Sequence, residues 1–282
     1  MKKFYLYKIF TQPFNVELLS GILWDFDITG LLEDEDHITI FISENSKTNE
    51  GQIADSLKKL QNEMLIEKFS ITKELLEDKN WNELWVKSRE VIRVSERIVI
   101  KPSFKSYQAN KNEIVLTIDP KMSFGTGEHQ TTKLVLRLLE KFVKKGMKIL
   151  DVGSGTGILS IAAIKLGASK AFAVDFDETC FDNCKENIII NKVENKIEVV
   201  TGEIDSVKEN DFDMILANIQ KNVLLNIAEK IKMKTRMKGI VILSGLLNED
   251  EQAIHNIYSK PGMRRIDKQT HDEWIALVYQ AD

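Results

Sequence analysis

Lys148-Ile149-Leu150-Asp151-Val152-Gly153-Ser154-Gly155-Thr156-Gly157 runs directly into Ile158-Leu159-Ser160-Ile161-Ala162-Ala163-Ile164-Lys165, an apolar strand, a glycine-rich turn and an apolar helix in succession. Glycine is needed where a strand turns sharply into a helix and a ligand must approach the backbone closely. A second short strand, Lys170 to Val174, ends at Asp175, 22 residues after Gly153. A carboxylate at that place can accept hydrogen bonds from both hydroxyls of a ribose, so strand, turn, helix and spaced acid together point to an adenosine-containing cofactor. The glycine spacing narrows the choice. A dinucleotide turn has the pattern G-x-G-x-x-G/A, but counting from Gly153 puts Ile158 at the third position, and counting from Gly155 puts Ser160 there. A pyrophosphate is therefore not expected, and a nicotinamide oxidoreductase is disfavoured.

Working outward, apolar strands alternate with helices from about residue 130 to 260: helical patterns over 131–143, 177–191, 222–237 and 248–260, and strands over 197–202, 213–219 and 239–245. Strands that are apolar throughout and separated by helices imply a mostly parallel sheet covered on both faces. The tail, 264–270 followed by 273–279, leaves no room for a crossover helix and predicts an antiparallel C-terminal hairpin. Ahead of the sheet, 91–104 and 112–120 read as strands leading into it. Residues 1–76 alternate as β-α-β-β-α-β, the order of a small α+β ferredoxin-like sandwich. Between them, 77–90 reads as a linker helix with Trp81 and Trp85 at helical spacing. The expected organisation is thus a small α+β domain over 1–76, a linker over 77–90 and an α/β, Rossmann-like domain over 91–282.

Composition excludes several classes. With 43% hydrophobic residues, 4 prolines and 14 glycines in 282, the chain has material for a sizeable core and is neither disordered nor fibrous. Net charge is -4, which offers no overall field for a nucleic-acid backbone. The acidity is concentrated at the start: residues 1–76 hold 8 Lys+Arg against 13 Asp+Glu, or -5, leaving +1 for the rest. Lys8 interrupts the first apolar stretch before it reaches signal-peptide length, and no uncharged run approaches the ~18 residues that span a bilayer. Cys180 and Cys184 stand alone, with no further ligands at metal spacing, so neither a disulfide framework nor a metal site is expected. A cytoplasmic protein, monomeric and without membrane contact, is the reading.

Asp151-x-Gly153-x-Gly155-x-Gly157 resembles the first motif of Rossmann-like S-adenosylmethionine methyltransferases. The segment Asp119 to Thr132 (DPKMSFGTGEHQTT), with Ala217-Asn218-Ile219, Leu243-Ser244-Gly245 and Glu273-Trp274, resembles the signatures of the bacterial methyltransferases that modify large-subunit ribosomal protein eleven. This resemblance covers essentially the whole chain. It implies S-adenosyl-L-methionine as cofactor, contacts to it from Thr132, Gly153, Gly155, Asp175 and Asn218, and capture of the ribosomal protein by the N-terminal domain. The family usually has proline where Gln130 stands here, which puts the stiffness of the loop entry in question. Where amino-group methyltransferases carry Asn/Asp-Pro-Pro-aromatic, this chain has Asn218-Ile219-Gln220, so methylation of planar amides and bases is disfavoured.

The chemistry implied is displacement at a sulfonium methyl by a lysine amine, with no metal and no direct nucleic-acid contact required. No residue is assigned as the proton acceptor; the Asn218 carbonyl is suited to orient either the incoming nitrogen or the methionine part of the cofactor. Structural alternatives stand beside each assignment. For Asp175 the alternative is a cap on the following helix and for Asn218 a turn former; for Thr132 the pattern supports capping as well as it supports cofactor contact, and His129 reads as a loop or capping residue. The lysine-rich runs 141–148 and 230–238 read as solvated helix faces, with contact to ribosomal RNA as the alternative for the second. The rival functions are an RNA methyltransferase and a non-enzymatic S-adenosylmethionine-binding assembly factor.

Overall fold

The computed structural model describes residues 3–34, 36–77, 90–119, 125–259 and 262–282. The expected linker helix with Trp81 and Trp85, and Pro120 to Phe124 of the loop signature, lie outside the described residues. The chain divides into two compact units, Met1–Arg89 and Glu90–Asp282.

In the first unit, β1 (Lys3–Gln12), α1 (Val16–Leu23), β2 (Gly30–Glu33), β3 (His37–Ser43), α2 (Glu50–Asn62) and β4 (Lys68–Glu77) follow the β-α-β-β-α-β order. The antiparallel sheet runs β2-β3-β1-β4. Alternation puts Tyr7 and Ile9 of β1 and Ile38, Ile40 and Ile42 of β3 on one face, where they pack with Leu19 and Leu23 of α1 and Ile53, Leu57 and Leu60 of α2. Both helices start on asparagine caps: Asn15 accepts from Leu18 N, and Asn49 and Gln52 form a reciprocal capping box.

The second unit opens with a small sheet of β5 (Ile92–Arg93), β6 (Ile98–Lys101) and β7 (Ile114–Thr117). So the strands expected to lead into the large sheet form a separate one. The bend between β6 and β7 is closed by Glu113, which accepts from Arg93, Tyr107 and Asn110; those bonds hold its carboxyl down at about 2. Two surface hollows of about 580 and 720 Å³ flank this network, and neither is lined by a residue of the glycine turn.

The large sheet comprises β8 (Lys148–Val152), β9 (Lys170–Asp175), β10 (Ile197–Thr201), β11 (Phe212–Asn218), β12 (Thr235–Leu247), β13 (Met263–His271) and β14 (Trp274–Ala281), in the order β10-β9-β8-β11-β12-β14-β13. The first five are parallel; β14 pairs antiparallel with β12 and with β13, so the tail is the hairpin expected. The sheet is covered on both faces. Ile149, Met214, Leu216 and Ile242 face a core shared with α3 (Gln130–Phe142) and α4 (Ile158–Lys165). Leu150, Ile215, Ala217 and Val241 face the other, shared with α6 (Lys221–Asn226), α7 (Ala228–Lys234) and α8 (Glu251–Tyr258). The remaining helix, α5 (Glu178–Ile190), lies against β9 and β10. Strand order reverses at β8, and crevices at such switch points, beyond the carboxyl ends of the strands, are where doubly wound sheets bind ligands.

One helix differs from the periodicity. The pattern over 222–237 predicts a single helix, but it breaks at Ile227 and ends at Lys234, and Thr235 to Lys238 begin β12. The buried Lys234 ammonium explains the stop: it donates to the carbonyls of Val207 (2.6 Å) and Glu209 (3.0 Å), anchoring the chain beside the loop before β11. Three other cations of this run are also engaged, Lys230 with Asp205, Lys232 with Glu229 and Arg236 with Asp213.

Candidate cofactor site

The turn after β8 is built on three glycines with left-handed backbone, φ 73° at Gly153, 52° at Gly155 and 78° at Gly157. Gly153 N and Ser154 N both donate to Val174 O, at 2.8 and 3.1 Å, which ties the turn to the end of β9. Space as well as conformation demands glycine. A Cβ on Gly153 would collide with Ile219, and one on Gly157 would lie 2.6 Å from the Cys184 Sγ. Cys184 is buried, and desolvation pushes its thiol up to about 12, so it packs and does not react.

Asp175, at the end of β9, accepts from Gly155 N at 2.8 Å with one carboxylate oxygen and from Asp177 N at 3.1 Å with the other. The helix after it is capped by Asp177, which accepts from Thr179 N at 2.9 Å, so the capping role considered for Asp175 belongs two residues on. The half-buried Asp175 carboxylate has lone pairs left to accept from a ligand.

Beneath the turn lies Asp151, wholly buried. One of its oxygens accepts from Ser160 N (3.1 Å) and Ser160 Oγ (2.8 Å); the other is buried with no hydrogen-bond partner. Desolvation first, opposed by the two Ser160 bonds, pushes its pKa up to about 7.

On the other side of the switch point, Asn218 closes β11 in register with Ser244 of β12, and Ile219 N donates to Ser244 O. Gly245 is obligatory here, because a Cβ on it would sit 2.5 Å from Ile219 O. The Asn218 side chain is buried; its Nδ2 lies 3.5 Å from Thr132 Oγ1, and its Oδ1 has no partner. Thr132 is in the first turn of α3, whose cap is His129: the Nδ1 accepts from Thr131 N at 3.3 Å, and the ring meets Trp274 edge-on at 4.7 Å. The threonine hydroxyl is therefore left to Asn218. Gln130, in the place of the family proline, has its Oε1 buried without a partner.

The structure thus gathers the five residues at the carboxyl ends of β8, β9 and β11: Gly153, Gly155 and Asp175 through the turn, Thr132 and Asn218 through their side chains, the two groups joined where Ile219 abuts Gly153. Three features escaped the sequence reading. Thr156, wholly buried, donates its hydroxyl to Gly125 O at 2.7 Å and joins the turn to the segment leading into α3. Phe176, next to Asp175, keeps its ring 80% exposed; an aromatic immediately after the strand-ending acid was the available signal. Asp250, after β12, takes the Lys221 ammonium at 2.6 Å, and no spacing rule links those two positions. Among the described residues, no group of three or more His, Cys, Asp or Glu is placed to hold a metal, and no helix is long and apolar enough to cross a membrane.

S-adenosylmethionine fits this chemistry. The rim offers a carboxylate for ribose hydroxyls, and buried acceptors without donors, Asn218 Oδ1 above all, suit a cationic ligand carrying N–H groups. A sheet reversing at β8, a glycine turn without the pyrophosphate register and an acid ending the second strand define a Rossmann-like S-adenosylmethionine-dependent methyltransferase. The family model "Ribosomal protein L11 methyltransferase (PrmA)" matches residues 22–282, and the chain belongs to that family. It is 36% identical over 203 residues to the ribosomal protein L11 methyltransferase of Acetivibrio thermocellus, covering 72% of this chain and 64% of that protein. The Clostridium perfringens protein of the same name is 30% identical over 263 residues, 91% of this chain and 84% of the relative. A crystal structure of the ribosomal protein L11 methylase from Lactobacillus delbrueckii subsp. bulgaricus superposes with a TM-score of 0.65 at 29% identity, over 68% of this chain and 99% of that one.

Proposed function

We propose that the protein transfers methyl groups from S-adenosyl-L-methionine to amino groups of ribosomal protein L11, with Thr132, Gly153, Gly155, Asp175 and Asn218 as the cofactor contacts. The observation that carries this reading is the buried, unpaired Oδ1 of Asn218 beside Thr132, next to a turn whose Gly155 amide is already held by Asp175. Asp175 accepts from ribose hydroxyls, and the exposed Phe176 ring offers a stacking face to the adenine. When bound, the cofactor supplies a methyl carbon activated by its sulfonium.

The chain's own task is to present a neutral amine to that carbon. A lysine of pKa ~10.4 costs roughly 4.6 kcal/mol to deprotonate at pH 7, so the site must disfavour the ammonium. Burial around Asn218 does so by desolvation.

Substrate capture falls to the first domain, residues 1–76 with net charge -5, joined through the linker 77–90 to the catalytic domain 91–282. Helices α1 and α2 cover one face of its sheet, and the net negative charge of the domain suits a basic protein. In this reading the protein works in the cytoplasm as a monomer, without membrane or nucleic-acid contact. The pairing of Lys230, Lys232, Lys234 and Arg236 within the fold supports the last point against an RNA substrate. The test is incubation with labelled S-adenosylmethionine and ribosomes lacking L11 methylation, followed by mass spectrometry. Label on lysines of L11 is expected; label on RNA or on no component would refute the reading.

A further inference from the structure

Asn183, Asn187 and Asn191 recur every four residues and so share one face of α5 and its C-terminal cap, exposed by only 2%, 0% and 7%. Three buried amides on a helix face need partners. They find them in the chain that leaves β7. Asn191 accepts from Thr117 N at 3.0 Å and donates to Thr117 O at 2.6 Å, as a neighbouring strand would. One turn earlier, Asn187 accepts from Asp119 N at 2.9 Å, and Asn183 donates to Asp119 O at 2.8 Å.

Of the three, Asn187 is the one that also reaches the glycine turn, donating to Thr156 O at 3.1 Å. The same Thr156 gives its hydroxyl to Gly125 O. Through Asn187 and Thr156 the turn is therefore bonded both to Asp119, two residues past β7, and to Gly125, five residues before α3. The Thr156 residue is flanked by Gly155 and Gly157, whose backbones resist rotation least. Without the amide on its carbonyl, the Thr156–Gly157 peptide is held on one side alone, by Gly157 N donating to Ser154 O at 2.8 Å, and the amides of the turn are directed less firmly.

We propose that Asn187 is a positioning residue for the cofactor site: it holds the glycine turn in register with the segment that supplies Thr132. The inference rests on the cofactor reading of that turn.

The test uses the full chain and the reaction product S-adenosylhomocysteine as calorimetric probe. Asn187→Ala is expected to weaken binding about tenfold, the effect of one lost hydrogen bond with good geometry. The KM for S-adenosylmethionine should rise in step, with kcat at saturation changed by less than about twofold. Asn191→Ala removes three buried bonds one turn away, two to Thr117 and one to Asn187 O; it should lower the melting temperature at least as much, yet leave affinity within about twofold. Thr156→Val should match Asn187→Ala, Thr156→Ser should restore affinity, and Asn187→Ala with Thr156→Val should be less than additive, because both cut one link. In the ligand-free protein, Asn187→Ala should speed hydrogen exchange of the Gly155 to Ile158 amides relative to Asn191→Ala.

Wild-type affinity in Asn187→Ala, or equal affinity losses in the two asparagine variants, would overturn the positioning role. If Asn187→Ala does not fold, the Thr156 pair decides by the same criterion. Failure of the wild type to bind S-adenosylhomocysteine would instead remove the cofactor reading, and the exchange comparison would still show whether Asn187 holds the turn.

Discussion

Replacing Asp175 by alanine separates the cofactor contact proposed for this carboxylate from its place in the fold. In the ligand-free protein it accepts from two backbone amides, Gly155 N and Asp177 N, in a half-buried position. Their loss should lower stability by about 1–2 kcal/mol, since each is a charge-assisted bond weakened by solvent. Affinity should fall further than stability suggests. The ribose hydroxyls lose a charged acceptor, worth ~1–3 kcal/mol, or roughly 5–150-fold in Kd. Asparagine keeps an oxygen for Gly155 N but not the charge, so Asp175→Asn should lie between wild type and Asp175→Ala. Calorimetric titration with S-adenosylhomocysteine measures the affinities, and urea unfolding measures the stabilities. A folded Asp175→Ala protein with wild-type affinity would refute the argument and take Asp175 out of the site.

The buried Asp151, with its pKa raised to about 7 against ~3.9 in the unfolded chain, makes stability fall with rising pH. The favourable contribution of its protonated form is complete below pH ~3.9 and lost as pH passes 7, an upper bound of roughly 4 kcal/mol. Asp151→Asn should flatten this slope in melts from pH 5 to 8; an unchanged slope would assign the effect to another group. Gly153→Ala should destabilise by ~1–3 kcal/mol, from a left-handed backbone and the collision with Ile219. Ile219→Ala should recover part of that loss, and failure to recover any would show that the collision does not matter. Rising ionic strength should raise the KM for L11, because an acidic domain attracts a basic substrate over a Debye length of about 8 Å, while S-adenosylmethionine affinity stays nearly constant. A salt-independent KM would count against charge-assisted capture.

Much of this protein is legible from local chemistry. The apolar strands of the large sheet, the glycine turn and the missing room for a crossover helix before β14 are properties of neighbouring residues, and they define a doubly wound sheet with a hairpin at its end. The glycine count that disfavours a pyrophosphate is likewise a matter of spacing along the chain. Periodicity failed at 222–237 because the helix stop lies in the burial of the Lys234 ammonium against carbonyls about 25 residues away in sequence, and propensity carries no record of such a contact.

The roles of individual side chains divide along the same line. Sequence alone left Asp175 open as a cap for the following helix, and only the position of the Gly155 amide beside the end of β9, with Asp177 capping instead, decides its place. The asparagines of α5 look like surface residues of a polar helix. Packing against Thr117 and Asp119 buries them and turns them into a substitute strand edge. The sequence by itself determined where the backbone must bend and which faces must be covered, because steric and hydrophobic preferences act over a few residues. The tertiary structure alone decided which buried polar groups find partners and which, like Asn218 Oδ1, have none within the chain, because that depends on groups brought together from distant segments.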